Sequence, residues 1–411
     1  MRPLPQAVAG LRTPAGARIP RAPGPLRSHP RHLARELRER RGTTGQHCRQ
    51  GVEGQARPGP GGPPDGRPAV SEQPGRRERG GMGRSGVHQH TEVGYMSESG
   101  RSGQETMRAM AYETYGGTEV LSETRLPLPK VGPGEVLVRV KCAAVNPVDW
   151  KIMAGGLDPL MDVVYPVVPC WDVSGTVEKV GIDVPEYAEG DEVIAYARKD
   201  YVHGGTCAEF VTVPVRALAP KPASLSWAEA AGLPLAGLTA YQLLTRLGTG
   251  RDDTVLIHGA AGGVGSLGVQ IARALGARVI GTASPRNHDR VRELGAEPVE
   301  YGDGLAERVR ALVPDGPTVV ADFVGGVGGV TREVLHDDGR HASIADPSVL
   351  GSGGEWIWVR PVGSDLAELG RLADSGQLKV PVAKTFPLNE LAAAFELSQG
   401  GHTPGKIIIE V

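Results

Sequence analysis

The stretch Thr254-Val-Leu-Ile-His-Gly-Ala-Ala-Gly-Gly-Val-Gly265 leaves few folds open to this chain. Thr254–His258 is a short apolar run, the look of a strand buried on both faces. Val264, Leu267, Ile271 and Leu275 then recur at helical spacing, and Gly276 stands where a helix stops. Arg278-Val-Ile-Gly-Thr282 reads as a second strand. Aligned on the dinucleotide fingerprint G-x-G-x-x-G, Ala260 takes the first glycine position, Gly262 the second and Gly265 the third. Gly262 lets the backbone approach a pyrophosphate, and Gly265 lets helix pack closely on strand. Val264 opens the helix over 264–275, whose N–H groups and positive dipole end would face the phosphates, and Gly263 just before it joins the cofactor-binding set. A merely tight strand-to-helix turn is the plainer alternative, but strand, loop, helix and second strand all arrive on schedule.

The alternation continues downstream. Asp289–Leu294, Leu305–Val313 and Thr331–His336 read as helices, and Thr318–Phe323 and His341–Ala345 as strands. That order predicts right-handed βαβ units and a parallel sheet. Upstream, Val136–Cys142, Val173–Val180, Glu192–Tyr196 and Ala208–Val213 read as short strands bounded by Gly, Pro or Asp, suggesting a small barrel or folded-over sheet. Helices near Asp365–Asp374 and Asn389–Ser398 and a last strand, Lys406–Glu410, close the chain.

Charge divides the chain where the pattern begins. Residues 1–106 hold 18 arginines, no lysine and 9 acids, a net +9, with 19 Gly, 13 Pro and one aromatic, Tyr95. The other 305 residues hold 27 basic and 38 acidic side chains, a net −11. A segment so poor in bulky apolar groups cannot offset the entropy of ordering its backbone, so a disordered tail is expected. Such a tail could bind nucleic acid through its charge, serve as a transit peptide, or do nothing; its nine acids oppose the second role. No apolar run of about 18 residues predicts a membrane helix. Four widely spaced cysteines without a C-x-x-C pair suggest neither a disulfide framework nor a structural zinc site, so a reduced, cytoplasmic protein is expected.

The second strand bears on which dinucleotide would bind. An NAD-specific fold carries an acid about 20 residues after the glycine loop, to accept from the ribose 2′-OH. Here the text runs Thr282-Ala-Ser-Pro-Arg-Asn-His288, with no carboxylate before Asp289. Ser284 and Arg286 would accept a 2′-phosphate, favouring NADPH; the alternative makes Arg286 an ordinary solvated charge.

Several further motifs stand in order: Gly134-Glu-Val-Leu-Val138, Val145-Asn-Pro-Val-Asp-Trp-Lys151, Trp171-Asp-Val-Ser-Gly175, Gly190-Asp-Glu-Val193, Gly205-Thr-Cys-Ala-Glu209, Leu235-Ala-Gly-Leu-Thr-Ala-Tyr241 and Gly405-Lys-Ile407. With the glycine loop, they make residues 107–411 resemble the zinc-independent quinone oxidoreductase branch of the medium-chain dehydrogenase/reductase superfamily. The resemblance implies an α/β fold: a GroES-like β-rich catalytic domain over 107–233, a Rossmann doubly wound parallel-sheet domain binding NADP over 234–362, and a return to the catalytic domain over 363–411, behind the tail 1–106.

It also implies chemistry. Zinc-dependent relatives carry Cys and His ligands where this chain has Asn146 and Asp149, so no catalytic metal is expected. Without a Lewis acid, conjugate reduction of a quinone or α,β-unsaturated carbonyl is the reaction that asks least of the site. By resemblance Asn146 lines the substrate site, while Lys151 and Thr239 contact the cofactor near its nicotinamide. A surface lysine and a plain helix residue are the alternatives for those two. Tyr196, Tyr201 and Tyr241 are candidate proton donors, though most tyrosines only pack. Cys170 stands where the family often has Gly, and would strain its turn if φ is positive there, or offer electrophilic quinones a thiol. A homodimer without a membrane partner is expected. A non-catalytic NADPH-binding or sensing protein is the rival reading.

Overall fold

The computed structural model describes residues 105–401 and 403–411. The tail assigned to residues 1–106 lies, but for its last two positions, outside them.

Six strands form an all-parallel sheet in the spatial order Glu297–Glu300, Arg278–Ala283, Thr254–His258, Val319–Asp322, Arg340–Ser343, Glu355–Trp356. Counted along the chain this is 3-2-1-4-5-6, the doubly wound Rossmann order. Its direction reverses between Thr254–His258 and Val319–Asp322, and the crevice at their carboxyl ends is where such sheets take ligands. Val255, Leu256 and Ile257 are fully buried, as expected of a strand covered on both faces.

The second sheet is mostly antiparallel and has seven strands. Its longest, Glu135–Val145, pairs along one edge with Asp172–Val180, and along the other with Phe210–Pro214 at its start and Lys406–Glu410 at its end. Glu192–Tyr196 and Leu218–Pro220 extend one side, and Val382–Pro387 the other. The last strand of the chain is therefore an inner strand of the sheet built by residues 135–220. Together the two sheets are the GroES-like and Rossmann architectures expected. No helix among the described residues is long and apolar enough to cross a membrane.

Some elements differ from expectation, for identifiable reasons. The helix expected over Thr331–His336 begins three residues earlier, at Gly328–Val334. Gly328 and Gly329, poor helix formers, hide its start. Pro234–Arg246 is a 13-residue helix that periodicity did not reveal. It buries residues all around its circumference against the helices Gly263–Ala274 and Gly363–Asp374, so it lacks the polar face that marks an amphipathic helix.

Candidate active site

Between the two sheets lies a cleft of about 970 Å³. One wall is the glycine loop, with Thr282, Ser284 and Asn287 beyond it; the opposite wall carries Val145, Asn146, Lys406 and Ile407.

The loop is shaped by what its glycines leave out. A Cβ on Gly265 would overlap the Gly259 carbonyl oxygen and stand 2.9 Å from the Ala260 Cα, so only glycine fits beneath the turn. A Cβ on Gly262 would meet nothing closer than that same oxygen at 3.3 Å, and the backbone there stands open to the cleft. The helix Gly263–Ala274 starts at Gly262 with no side chain capping it. Its first-turn N–H groups, which have no intrahelical partner, are left for an anion. These features fit the pyrophosphate of a dinucleotide.

The floor comes from the switch point. His258 is buried, its Nε2 has no partner among the described residues, and burial pushes its imidazole down to about 4, so it is neutral. Opposite in register stands Asp322, whose Oδ1 accepts from the N–H groups of Val324 and Gly325 at 2.9 Å each, and whose Oδ2 accepts from Ser343 Oγ at 2.7 Å. Asp322 thereby fixes the turn that carries Phe323 and Val324 into the cleft wall.

Asn146 follows the strand Glu135–Val145 and caps the helix Pro147–Met153. Its own carbonyl takes the Asp149 N–H (3.0 Å) and Asp149 Oδ2 takes its N–H (2.7 Å). Backbone and Asp149 thus close the helix end, and the Asn146 side chain is free to turn elsewhere. Its Nδ2 donates to Asp172 Oδ2 at 2.9 Å, and its Oδ1 accepts from Lys406 Nζ. Asp172 also takes the Leu235 N–H at 2.7 Å on Oδ1, and Lys406 Nζ lies 3.5 Å from its Oδ2. All three side chains are buried. Burial drives the Asp172 carboxyl upward, and Lys406 and the Asn146 and Leu235 donors oppose that shift.

The residues singled out from sequence divide accordingly. Asn146, Gly262, Gly263, Val264, Gly265 and Ser284 line the cleft together. Arg286 is exposed two residues beyond Ser284 and is not among the lining residues. Lys151 is exposed, its Nζ 5.5 Å from the Trp150 ring, and Thr239 gives its hydroxyl to the Leu235 carbonyl at 2.7 Å; neither lines the cleft. Tyr196 is fully buried against Trp171, with its hydroxyl pushed up by desolvation, and Tyr201 and Tyr241 also lie off the cleft. Cys170 has φ +67°, the positive value at which a side chain is strained, and its thiol is buried rather than presented to the cleft.

Asp172 and Lys406 are the functional candidates that sequence reasoning passed over. The available signal was a lysine heading a run of three isoleucines, since lysine is rarely buried without a partner. Gly405 sets it there. With φ +124° and the Pro381 carbonyl oxygen 2.6 Å from where a Cβ would stand, that position admits glycine alone.

The same geometry answers for zinc. Among the described residues no group of three His, Cys, Asp or Glu side chains could hold a metal ion, and the Lys406 ammonium sits beside Asp172. The donor set does not suit zinc.

A Rossmann sheet with an uncapped glycine loop, facing a GroES-like sheet across a cleft, defines a nicotinamide-dependent oxidoreductase of the alcohol dehydrogenase type. Residues 132–223 match the alcohol dehydrogenase GroES-like domain family, and residues 294–409 the zinc-binding dehydrogenase family. The chain is 30% identical to the chloroplast envelope quinone oxidoreductase homolog of Arabidopsis thaliana, over 74% of this chain and 98% of the relative. It is 34% identical to the chloroplastic NADPH-dependent alkenal/one oxidoreductase of the same plant, over 74% and 79%. The solved quinone oxidoreductase of Coxiella burnetii superposes with a TM-score of 0.67 at 31% identity, over 75% of this chain and all of that one. The chain belongs to the quinone oxidoreductase branch of the medium-chain dehydrogenase/reductase superfamily.

Proposed function

We propose that the protein is an NADPH-dependent, zinc-independent reductase of quinones or α,β-unsaturated carbonyls. The observation that carries this reading is Asn146, a neutral amide anchored on a buried ion pair, in the wall facing the uncapped glycine loop. Bound NADPH would supply the hydride and the protein the surroundings. Gly262, Gly263, Val264 and Gly265 would hold the pyrophosphate, with Ser284 and Arg286 taking the 2′-phosphate at the mouth. Asn146 would donate a hydrogen bond to the substrate carbonyl oxygen as negative charge collects there, and water would deliver the proton. Lys151 and Thr239, off the cleft wall, carry no part of the proposal.

The relatives named for quinone and NADPH-dependent alkenal/one reduction support the substrate and cofactor classes. The test is NADPH oxidation at 340 nm across quinones and enones of graded size, with and without a chelator. Turnover with NADPH that ignores the chelator is expected. Cofactor binding without turnover across the panel would instead make this a sensing protein. The reading extends to a cytoplasmic homodimer, checked by cell fractionation and sedimentation.

A further inference from the structure

Lys406 and Asp172 form a buried ion pair, a costly arrangement that survives only where geometry and further hydrogen bonds satisfy both charges. Here they do. The ammonium has three N–H donors and three acceptors around it: Asn146 Oδ1, the Val145 carbonyl at 3.4 Å and Asp172 Oδ2 at 3.5 Å. No donor remains for a cofactor phosphate, although the lysine stem passes 3.5 Å from where a Gly263 Cβ would stand.

The pair also settles which way the Asn146 amide faces. An ammonium can only donate and an ionised carboxylate can only accept, so Oδ1 must meet Lys406 and Nδ2 must meet Asp172. Turned over, the amide would set NH₂ against NH₃⁺. One N–H of Nδ2 is committed to Asp172; the other is the only donor the side chain retains. Positive charge on the amide oxygen draws density from nitrogen and makes that N–H a stronger donor.

We propose that Lys406 and Asp172 are positioning residues acting through Asn146: together they lock its amide and polarise it, so that its remaining N–H serves as the oxyanion donor of the cleft. This inference rests on the reductase reading, which supplies the oxyanion. It makes a strand from the C-terminal end of the chain part of the catalytic apparatus without its touching substrate.

Two arms test it. The whole chain contains three asparagines, Asn146, Asn287 and Asn389. Protein labelled with ¹⁵N in asparagine therefore shows three side-chain amide pairs, and Asn146→Ala identifies the first. Lys406→Met is expected to shift the Asn146 pair upfield and speed rotation about its C–N bond, leaving the other two unmoved. Should that variant fail to fold, Lys406→Met with Asp172→Asn removes both charges together and leaves neither unpaired. Unmoved Asn146 signals would overturn the proposal. In the kinetic arm, Asn146→Ala and Lys406→Met should each lower kcat about 10- to 100-fold with the NADPH KM within about threefold, and together cost little more than the worse one. Losses that multiply, or a raised NADPH KM at unchanged kcat, would show Lys406 acting on its own and overturn the proposal. Absence of turnover in the wild-type protein would refute the reductase reading, while the amide signals still decide whether the ion pair polarises Asn146.

Discussion

Asp149 Oδ2 accepts the backbone N–H of Asn146 at 2.7 Å, so a buried carboxyl group holds the residue that faces the cleft. Among the described residues its other oxygen has no partner, and burial pushes its pKa up to about 7.

That shift predicts a pH dependence of stability. Between about pH 4 and pH 7 the folded state keeps a proton that the unfolded chain has released. Stability contributed by Asp149 is therefore full below its unfolded pKa and is lost as pH rises through 7. Each unit of raised pKa corresponds to about 1.4 kcal/mol, so the loss amounts to a few kcal/mol. Urea unfolding at pH 5 and pH 8 should show the wild type losing stability relative to Asp149→Asn. Parallel profiles for the two proteins would refute the assignment.

The two loop glycines should fail in different ways. Gly265→Ala drives a methyl into the Gly259 carbonyl, which cannot yield, and is expected to lower the melting temperature along with cofactor affinity. Gly262→Ala meets only an oxygen at 3.3 Å, so the protein should fold with a nearly normal melting temperature. Its methyl projects where the pyrophosphate would lie, and fluorescence titration should show NADPH binding weakened about tenfold or more. Equal thermal losses in both variants would contradict the geometry.

Arg286 offers a test of cofactor choice. The charge is exposed beside Ser284, so Arg286→Ala should leave stability unchanged and weaken NADPH about tenfold without affecting NADH. Ser284→Asp should go further and favour NADH, by repelling the 2′-phosphate and accepting from the 2′-OH. Ratios of kcat/KM for the two cofactors, measured at fixed ionic strength, decide it.

Cys170 allows strain to be measured against packing. At an ordinary helical or extended backbone position glycine is less stable than alanine by about 0.5–1 kcal/mol. At φ +67° the order should reverse, because the left-handed region costs a residue with a Cβ about 1–2 kcal/mol. Cys170→Gly is therefore expected to match or exceed Cys170→Ala in chemical denaturation. The reverse order would mean that the turn is unstrained.

Much of this was legible because it is local. The strand Thr254–His258, the loop and the helix after it lie within a continuous stretch, and burial on both faces writes an apolar run directly into the text. Asn146 was legible as a substituted position in a known motif. Its partners were not, because Asp172 lies 26 residues away and Lys406 lies 260 away, and no periodicity links such positions. The helix Pro234–Arg246 escaped for the opposite reason: being buried on every side, it has no pattern to read.

The strand Lys406–Glu410 ends one residue before the chain does, yet sits between Val382–Pro387 and Glu135–Val145. On the ribosome, the sheet begun near residue 135 must wait for the whole Rossmann domain to emerge before its missing strand arrives. The Asn146 amide cannot meet Lys406 until the 260 residues that separate them have been made. A nascent chain can thus acquire its dinucleotide loop before the cleft wall opposite, with Asn146 and Lys406, is complete.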